Sequence, residues 1–311
     1  MNYLITGGAG FLGLKLVEKL SEIKKNRIYI IDNFSKIKKN EDSLKILKKK
    51  NITLIKKDLS DILHYLKIYN FDYIYHFSAI LGVEKVINNP FKTLKENITS
   101  TANLLEFSLK QKKLKKICFT STSEVYSYTL KKKLTSYPTP ENVDFLISKD
   151  FEPRTSYLLS KVVGEYLINY SKLNYVIFRP HNIFGAKMGF AHVIPQLTKK
   201  ILTSKEKKIL IQNSNHKRTF CHIDFAIELI YKISHNKKTS RKIFNIGSPE
   251  KEIKIIDLAT KIKKILNSKK ELVVNTKHRF SSPEKRRPLM SNSLKYIKSK
   301  HDFDTCLRNT V

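Results

Sequence analysis

The chain has 311 residues, enough for one large domain or two ordinary ones, and 41% of them are hydrophobic, as in an ordinary globular protein. Its 60 basic and 27 acidic residues leave a formal charge of +33, but only nine of the basic residues are Arg, and lysine runs such as KIKK (36–39), KKLKK (112–116) and KEKK (205–208) are strewn along the chain. The charge therefore reads as a solvated surface that steers a small anion, not a nucleic-acid stripe; with no membrane-length apolar run, no signal peptide before the first strand and three scattered cysteines, the expectation is a cytoplasmic protein with reduced thiols, no membrane association and no metal site.

NYLIT (2–6) is a short apolar strand, and FLGLKLVEKLSEI (11–23) carries apolar residues at helical spacing. Between them lies GGAGFLG (7–13). Glycine is scarce, nine in all, and four fall in this turn. The spacing G-x-x-G-x-x-G at Gly7, Gly10 and Gly13 lets backbone approach a pyrophosphate, with the free N–H groups of a helix N-terminus facing it. RIYIID (27–32) is the second strand. It ends in Asp32, whose carboxylate can accept from both adenosine ribose hydroxyls and repels a 2′-phosphate, so NAD is expected over NADP. NITLIKKD (51–58) and FDYIYHFSA (71–79) are the third and fourth strands; Asp58 either meets the adenine edge or caps a helix.

NPFKTLKENITSTANLLEFSLKQ (89–111) reads as a long helix with Pro at its start. KKICFTST (115–122) is a fifth strand, 154–173 a helix and NYVIFRP (174–180) a sixth strand. Segment 127–156, with Pro138, Pro140 and Pro153, reads as a long loop. Strands separated by helices predict an α/β fold, a Rossmann-type doubly wound parallel sheet. After Pro180 the rhythm changes. Helices are expected at 192–207, 222–233 and 253–266, a lone strand at KIFNIGS (242–248), then a polar tail with Pro. This predicts a cofactor domain over 1–180, to which segments near 215–247 return, and a smaller substrate lobe over 181–311.

RTSYLLSKVVGEYL (154–167) places Tyr157 four residues before Lys161, on one helix face. In a chain this rich in Tyr and Lys, composition alone produces a few such pairs, and Tyr128/Lys132 and Tyr296/Lys300 are two others. The surroundings decide between them. GGAGFLG, DLSD, HFSA, ENITSTANLLE, TSTSEVY, YLLSK, FRPHNIFG, RTFCHIDFA, FNIGSPE and SPEKRRP occur in an order that resembles the extended short-chain dehydrogenase/reductases of the nucleotide-sugar epimerase/dehydratase branch, over nearly the whole chain.

The resemblance implies that Tyr157 is the catalytic base, that Lys161 lowers its pKa and holds the nicotinamide ribose, that Thr122 bonds the reacting hydroxyl, and that Glu124 shares in catalysis. It assigns NAD to Gly7, Gly10, Phe11, Leu12, Gly13, Asp32, Asn33, Asp58, Leu59, Phe77, Ser78, Ala79, Asn97, Tyr157, Lys161 and Pro180. It assigns a UDP- or GDP-linked sugar to Ser123, Glu124, Arg154, Asn182, Arg218 and Arg286. A homodimer through helices 89–111 and 154–173 is implied by analogy. Ser127 stands where the family keeps a glycine, and GAKMG (185–189) departs from its usual pattern.

The branches share oxidation of sugar C4 and then diverge. A dehydratase needs an acid directly after the Thr, where this chain has Ser123. Thr122-Ser123-Glu124, Arg154 and Arg286 resemble nucleotide-glucuronate decarboxylases, and two guanidinium groups suit a uronic acid. Epimerases also carry TSEVY, and PHNIFGAKMGFAHVIP (180–195) resembles epimerase-type members from surface-polysaccharide pathways. An epimerase is the first expectation and a decarboxylase the alternative; a dehydratase or a non-catalytic NAD-binding regulator stands behind both.

Overall fold

The computed structural model describes residues 1–35, 41–59, 70–190, 192–275, 283–298 and 302–311. The KIKK run, Ser60 and Asp61 of DLSD, Ala191, Ser282 of SPEKRRP and Lys300 lie outside the described residues. The chain divides into two units. The first comprises Met1–Val125, Ile147–Arg179 and Ile227–Phe244; the second comprises Tyr126–Leu146, Pro180–Ala226 and Asn245–Val311.

A seven-stranded sheet is built from β1 (Asn2–Thr6), β2 (Arg27–Asp32), β3 (Ile52–Lys56), β4 (Tyr73–His76), β5 (Lys116–Thr120), β6 (Tyr175–Pro180) and β7 (Lys242–Ile246). Its order is β7-β6-β5-β4-β1-β2-β3, and every pair from β6 to β3 is parallel. The strand that the sequence leaves alone, KIFNIGS, is therefore an edge of this sheet. The order reverses between β1 and β4, where doubly wound sheets open a crevice at their carboxyl ends. β1, β4, β5 and β6 are buried almost throughout. That is why they appear in the sequence as unbroken apolar runs.

Helices α1 (Phe11–Ser21), α2 (Pro90–Leu109), α3 (Thr155–Tyr170) and α4 (Ile223–His235) carry most of the flanking structure. Pro90 opens α2 at a position where its missing N–H costs nothing. α2 and α3 pack on each other. Gly164 lets α3 lie close on β5, because a Cβ there would meet Phe119 Cζ at 2.5 Å. Leu104, Leu105, Phe107, Ile117, Phe119, Ile168 and Ile177 form part of the resulting core. Among the described residues, no helix is long and apolar enough to cross a membrane.

The second unit corrects three readings. Segment 127–156 is not loop throughout, since Ser127–Lys131 is helical. The helix expected at 253–266 begins at Ile255, because Ile253 and Lys254 are a strand that pairs antiparallel with Lys217–Arg218. The tail contains a strand, Glu271–Asn275, paired in parallel with Lys208–Gln212. These short strands form only because distant segments satisfy their backbone groups, a requirement that no local periodicity announces. Asn245 holds this unit together. Fully buried, it accepts from Tyr126 Oη (2.9 Å), donates from Nδ2 to Thr139 O (3.0 Å) and Leu289 O (3.3 Å), and through its N–H bonds Glu141 Oε1 (3.0 Å).

Candidate active site

The glycine turn follows β1 directly. Gly7 has φ +68°, a left-handed conformation open to glycine, and a Cβ there would lie 2.6 Å from Ser78 N. A Cβ on Gly13 would lie 2.2 Å from Gly7 O. Backbone thus packs on backbone, and the N-terminus of α1, whose N-cap is Gly10, carries no side-chain cap. Phe11 and Leu12 form its first turn. Asp32 reaches back to this turn: its carboxylate accepts from Ala9 N (3.1 Å) and Phe34 N (2.7 Å). Asn33 Nδ2 donates to Asp58 Oδ2 (3.0 Å). Leu59 buries its side chain in the core, and its carbonyl accepts from Asn103. Across the turn, Phe77 N donates to Thr6 O and Ser78 Oγ to Thr6 Oγ1, each at 3.0 Å, with Ala79 next in line.

The second cluster forms where β5 ends and α3 begins. Tyr157 and Thr122 are hydrogen-bonded through their side chains. Glu124 follows in the helical turn Ser123–Tyr126, its N–H bonded to Thr122 Oγ1 at 3.2 Å. Arg154 grips the Glu124 carboxylate with two bonds, Nε to Oε2 at 3.0 Å and Nη2 to Oε1 at 2.6 Å. Ser123 is buried. The first unit thus brings Thr122, Glu124, Arg154 and Tyr157 together from segments 30 residues apart.

Lys161 lies one helical turn beyond Tyr157 on α3. Its ammonium donates to Thr120 O at 2.9 Å, and it lies 4.9 Å from the Phe119 ring centre and 6.0 Å from that of Tyr157. The Tyr157 phenol is pushed well above its ordinary value, first by burial and then by the Glu124 charge; the Thr122 hydrogen bond and Arg154 oppose this.

Five residues that the sequence reading missed surround this cluster. Ser160 donates to Tyr157 O (2.7 Å) and accepts from Asn97 Nδ2 (3.1 Å), while Asn97 also bonds both backbone groups of Ile80. Behind the helix, Arg179 of β6 makes a two-pronged ion pair with Glu165 of α3, at 2.9 and 2.6 Å, and Ser121 bonds the same carboxylate. Glu165 is one helical step beyond Lys161, and that spacing was the one available signal. His76, on β4, is buried between Thr6 Oγ1 (2.7 Å) and Thr101 Oγ1 (3.1 Å); burial, aided by the Lys161 charge, pushes its imidazole down to about 3, so it is neutral at pH 7.

In the second unit, Arg218 and Arg286 sit side by side on adjacent parallel strands. Arg218 donates to Lys217 O (2.7 Å), Glu284 O (2.9 Å) and Pro283 O (2.8 Å). Asn182, at φ +41°, donates to Thr219 O (2.9 Å), beside Arg218. These three residues assigned to the nucleotide-linked sugar therefore lie on neighbouring segments of the second unit. Pro180 ends β6, two residues before Asn182.

Residues 3–247 match the NAD dependent epimerase/dehydratase family. The chain is 33% identical over 279 residues to a UDP-N-acetyl-alpha-D-glucosaminuronate decarboxylase of Bacillus cytotoxicus, covering 87% of this chain and 82% of that one. It is 29% identical over 301 residues to UDP-glucuronic acid decarboxylase 3 of Arabidopsis thaliana, covering 94% and 82%. Among solved structures, a UDP-N-acetylglucosamine 4-epimerase of Methanobrevibacter ruminantium aligns with a TM-score of 0.83 at 26% identity, covering 99% of this chain and 96% of that one.

Proposed function

Because the chain belongs to the NAD dependent epimerase/dehydratase family, we propose that it oxidises C4 of a nucleotide-linked sugar, and that the sugar is a uronic acid which then loses its carboxylate as CO2. NAD, when bound, supplies the hydride acceptor at C4 and returns the hydride. The residues present fit it: a turn that tolerates no Cβ at Gly7 or Gly13, an uncapped helix N-terminus beyond it, and a carboxylate at Asp32 held on the same turn.

Tyr157 takes the proton of the C4 hydroxyl, and Thr122, bonded to Tyr157, orients that hydroxyl. Lys161, anchored on Thr120 O, holds the nicotinamide ribose. The acid inventory beside Tyr157 argues against elimination of water, and similarity to two uronate decarboxylases carries the choice between the reactions that remain. Ser123 occupies the position where elimination of water needs a carboxylic acid, and Glu124 is locked in an ion pair. A 4-keto uronate is a β-keto acid, so its carboxylate departs without any leaving-group acid. Both decarboxylase relatives support this reading. Asn182, Arg218 and Arg286 bind the nucleotide diphosphate. Epimerisation is the second reading; it too needs no leaving-group acid, and the epimerase structure at 26% identity favours it.

Mass spectrometry of products from a panel of UDP- and GDP-linked sugars tests the reading. UDP-glucuronate or its N-acetyl amino counterpart is expected to lose the mass of CO2. An isomer of unchanged mass overturns decarboxylation in favour of epimerisation, and loss of water overturns both. The cofactor assignment has its own test. Asp32→Ala is expected to weaken NAD at least about tenfold in calorimetry, through loss of charge-assisted bonds to two ribose hydroxyls, and to weaken NADP less. Equal losses for both dinucleotides would remove Asp32 from the ribose.

A further inference from the structure

The resemblance assigns Arg154 to the substrate, but the structure spends its guanidinium within the protein. Nε and Nη2 bond the two oxygens of Glu124 at 3.0 and 2.6 Å, a fork-to-fork geometry that fixes both groups. The two side chains are 30% and 18% exposed, so solvent screens this pair far less than a surface pair. The backbone at both ends is also held. Glu124 N–H bonds Thr122 Oγ1 (3.2 Å), and Arg154 O accepts from Tyr157 N (3.2 Å), so the pair spans the two segments that carry the reacting hydroxyls.

We propose that Arg154 is a positioning residue for the C4 chemistry: it holds Glu124 ionised and fixed beside the Thr122–Tyr157 pair, and is not itself a ligand of the sugar. This rests on the proposed function only for the C4 oxidation. Two consequences follow. An ionised Glu124 has no proton to give, so it cannot act as the carboxylic acid for a departing hydroxyl, which favours loss of CO2 or re-reduction of the 4-keto sugar over dehydration. The pair also balances charge at Tyr157, where Glu124 holds the phenolic proton on and Arg154 opposes it. Removing Arg154 alone leaves the carboxylate uncompensated next to the phenol. Removing both restores the balance.

A double-mutant cycle of Arg154→Gln, Glu124→Gln and the pair tests this, with reduction of the bound cofactor followed at 340 nm for whichever sugar of the panel turns over. Arg154→Gln is expected to slow that step at least tenfold, to change KM less than threefold, and to move the rising limb of the pH–rate profile to higher pH. In the Glu124→Gln background the same change should cost less than threefold. Losses that multiply, or a tenfold rise in KM with kcat kept, would make Arg154 a substrate ligand and overturn the proposal. If no sugar reduces the cofactor, the proposed function has failed on its own. The positioning role is then read from the 13C-carboxyl titration of Glu124, whose midpoint must rise in Arg154→Gln; an unchanged midpoint overturns it. Arg154→Met, which likewise removes the charge, repeats both readings should the Gln variant fold poorly.

Discussion

Tyr157→Phe is expected to lower kcat by about 10²–10⁴-fold, the range for removing a positioned general base. The variant keeps the ring in its place and deletes only the hydroxyl. Thr122 loses one hydrogen-bond partner, which costs about 1 kcal/mol of stability. The two effects therefore separate. Unfolding and NAD affinity should stay near wild type, while the transient absorbance at 340 nm on adding substrate disappears. The wild-type enzyme should also show a kcat that rises with pH, because burial and the Glu124 charge both hold the proton on this phenol. A Phe variant that retains a tenth of the wild-type rate, or a flat wild-type profile, would take the base role away from Tyr157. Thr122, two residues beyond β5 and bonded to Tyr157, would be the next candidate.

Arg179→Met is expected to cost about 3–5 kcal/mol, the usual price of stranding one partner of a buried ion pair. Arg179 is 1% exposed and Glu165 4%, so neither charge has water to fall back on. Ser121 bonds the same carboxylate but cannot neutralise it. In a unit of this size the loss corresponds to a fall of roughly 6–20 °C in the first melting transition. The effect should reach function as well. Glu165 lies on α3, the helix that carries Tyr157 and Lys161, and Arg179 fastens it to β6. The decisive variant is Arg179→Met with Glu165→Leu. Replacing the whole pair by apolar side chains removes both desolvation costs, so the double variant should unfold nearer to wild type than either single one. If the double variant is less stable than both, the pair contributes net stability and the argument from stranded charge fails. Calorimetric melting of the three proteins decides it.

Much of this was legible along the chain. The glycine turn could be read because glycine is rare here and four of nine fall between a strand and a helix, where the turn leaves no room for side chains at Gly7 and Gly13. Asp32 could be read because it closes the second strand of such a unit, and it does lie on the turn. Tyr157 could be separated from Tyr128 and Tyr296 only by its place between the fifth and sixth strands. What could not be read were partnerships. Glu124 and Arg154 looked like independent ligands of a substrate, yet they form an ion pair with each other. Lys161 could be read as the helical neighbour of Tyr157, but not that its ammonium bonds a backbone carbonyl. Glu165 and Arg179 carried no local sign of pairing beyond a helical spacing shared with Lys161. The strands at 208–212 and 271–275 find one another across some sixty residues, and neither announces the other.

The amino-acid order by itself determined the parallel sheet and the glycine turn after its first strand, because burial on both faces and the scarcity of glycine are local properties that leave a trace along the chain. Only the tertiary structure decided which charges meet. Ion pairs and hydrogen bonds depend on distances of about 3 Å between side chains far apart in the chain, and it is those distances that turn Arg154 toward Glu124 and Lys161 toward Thr120.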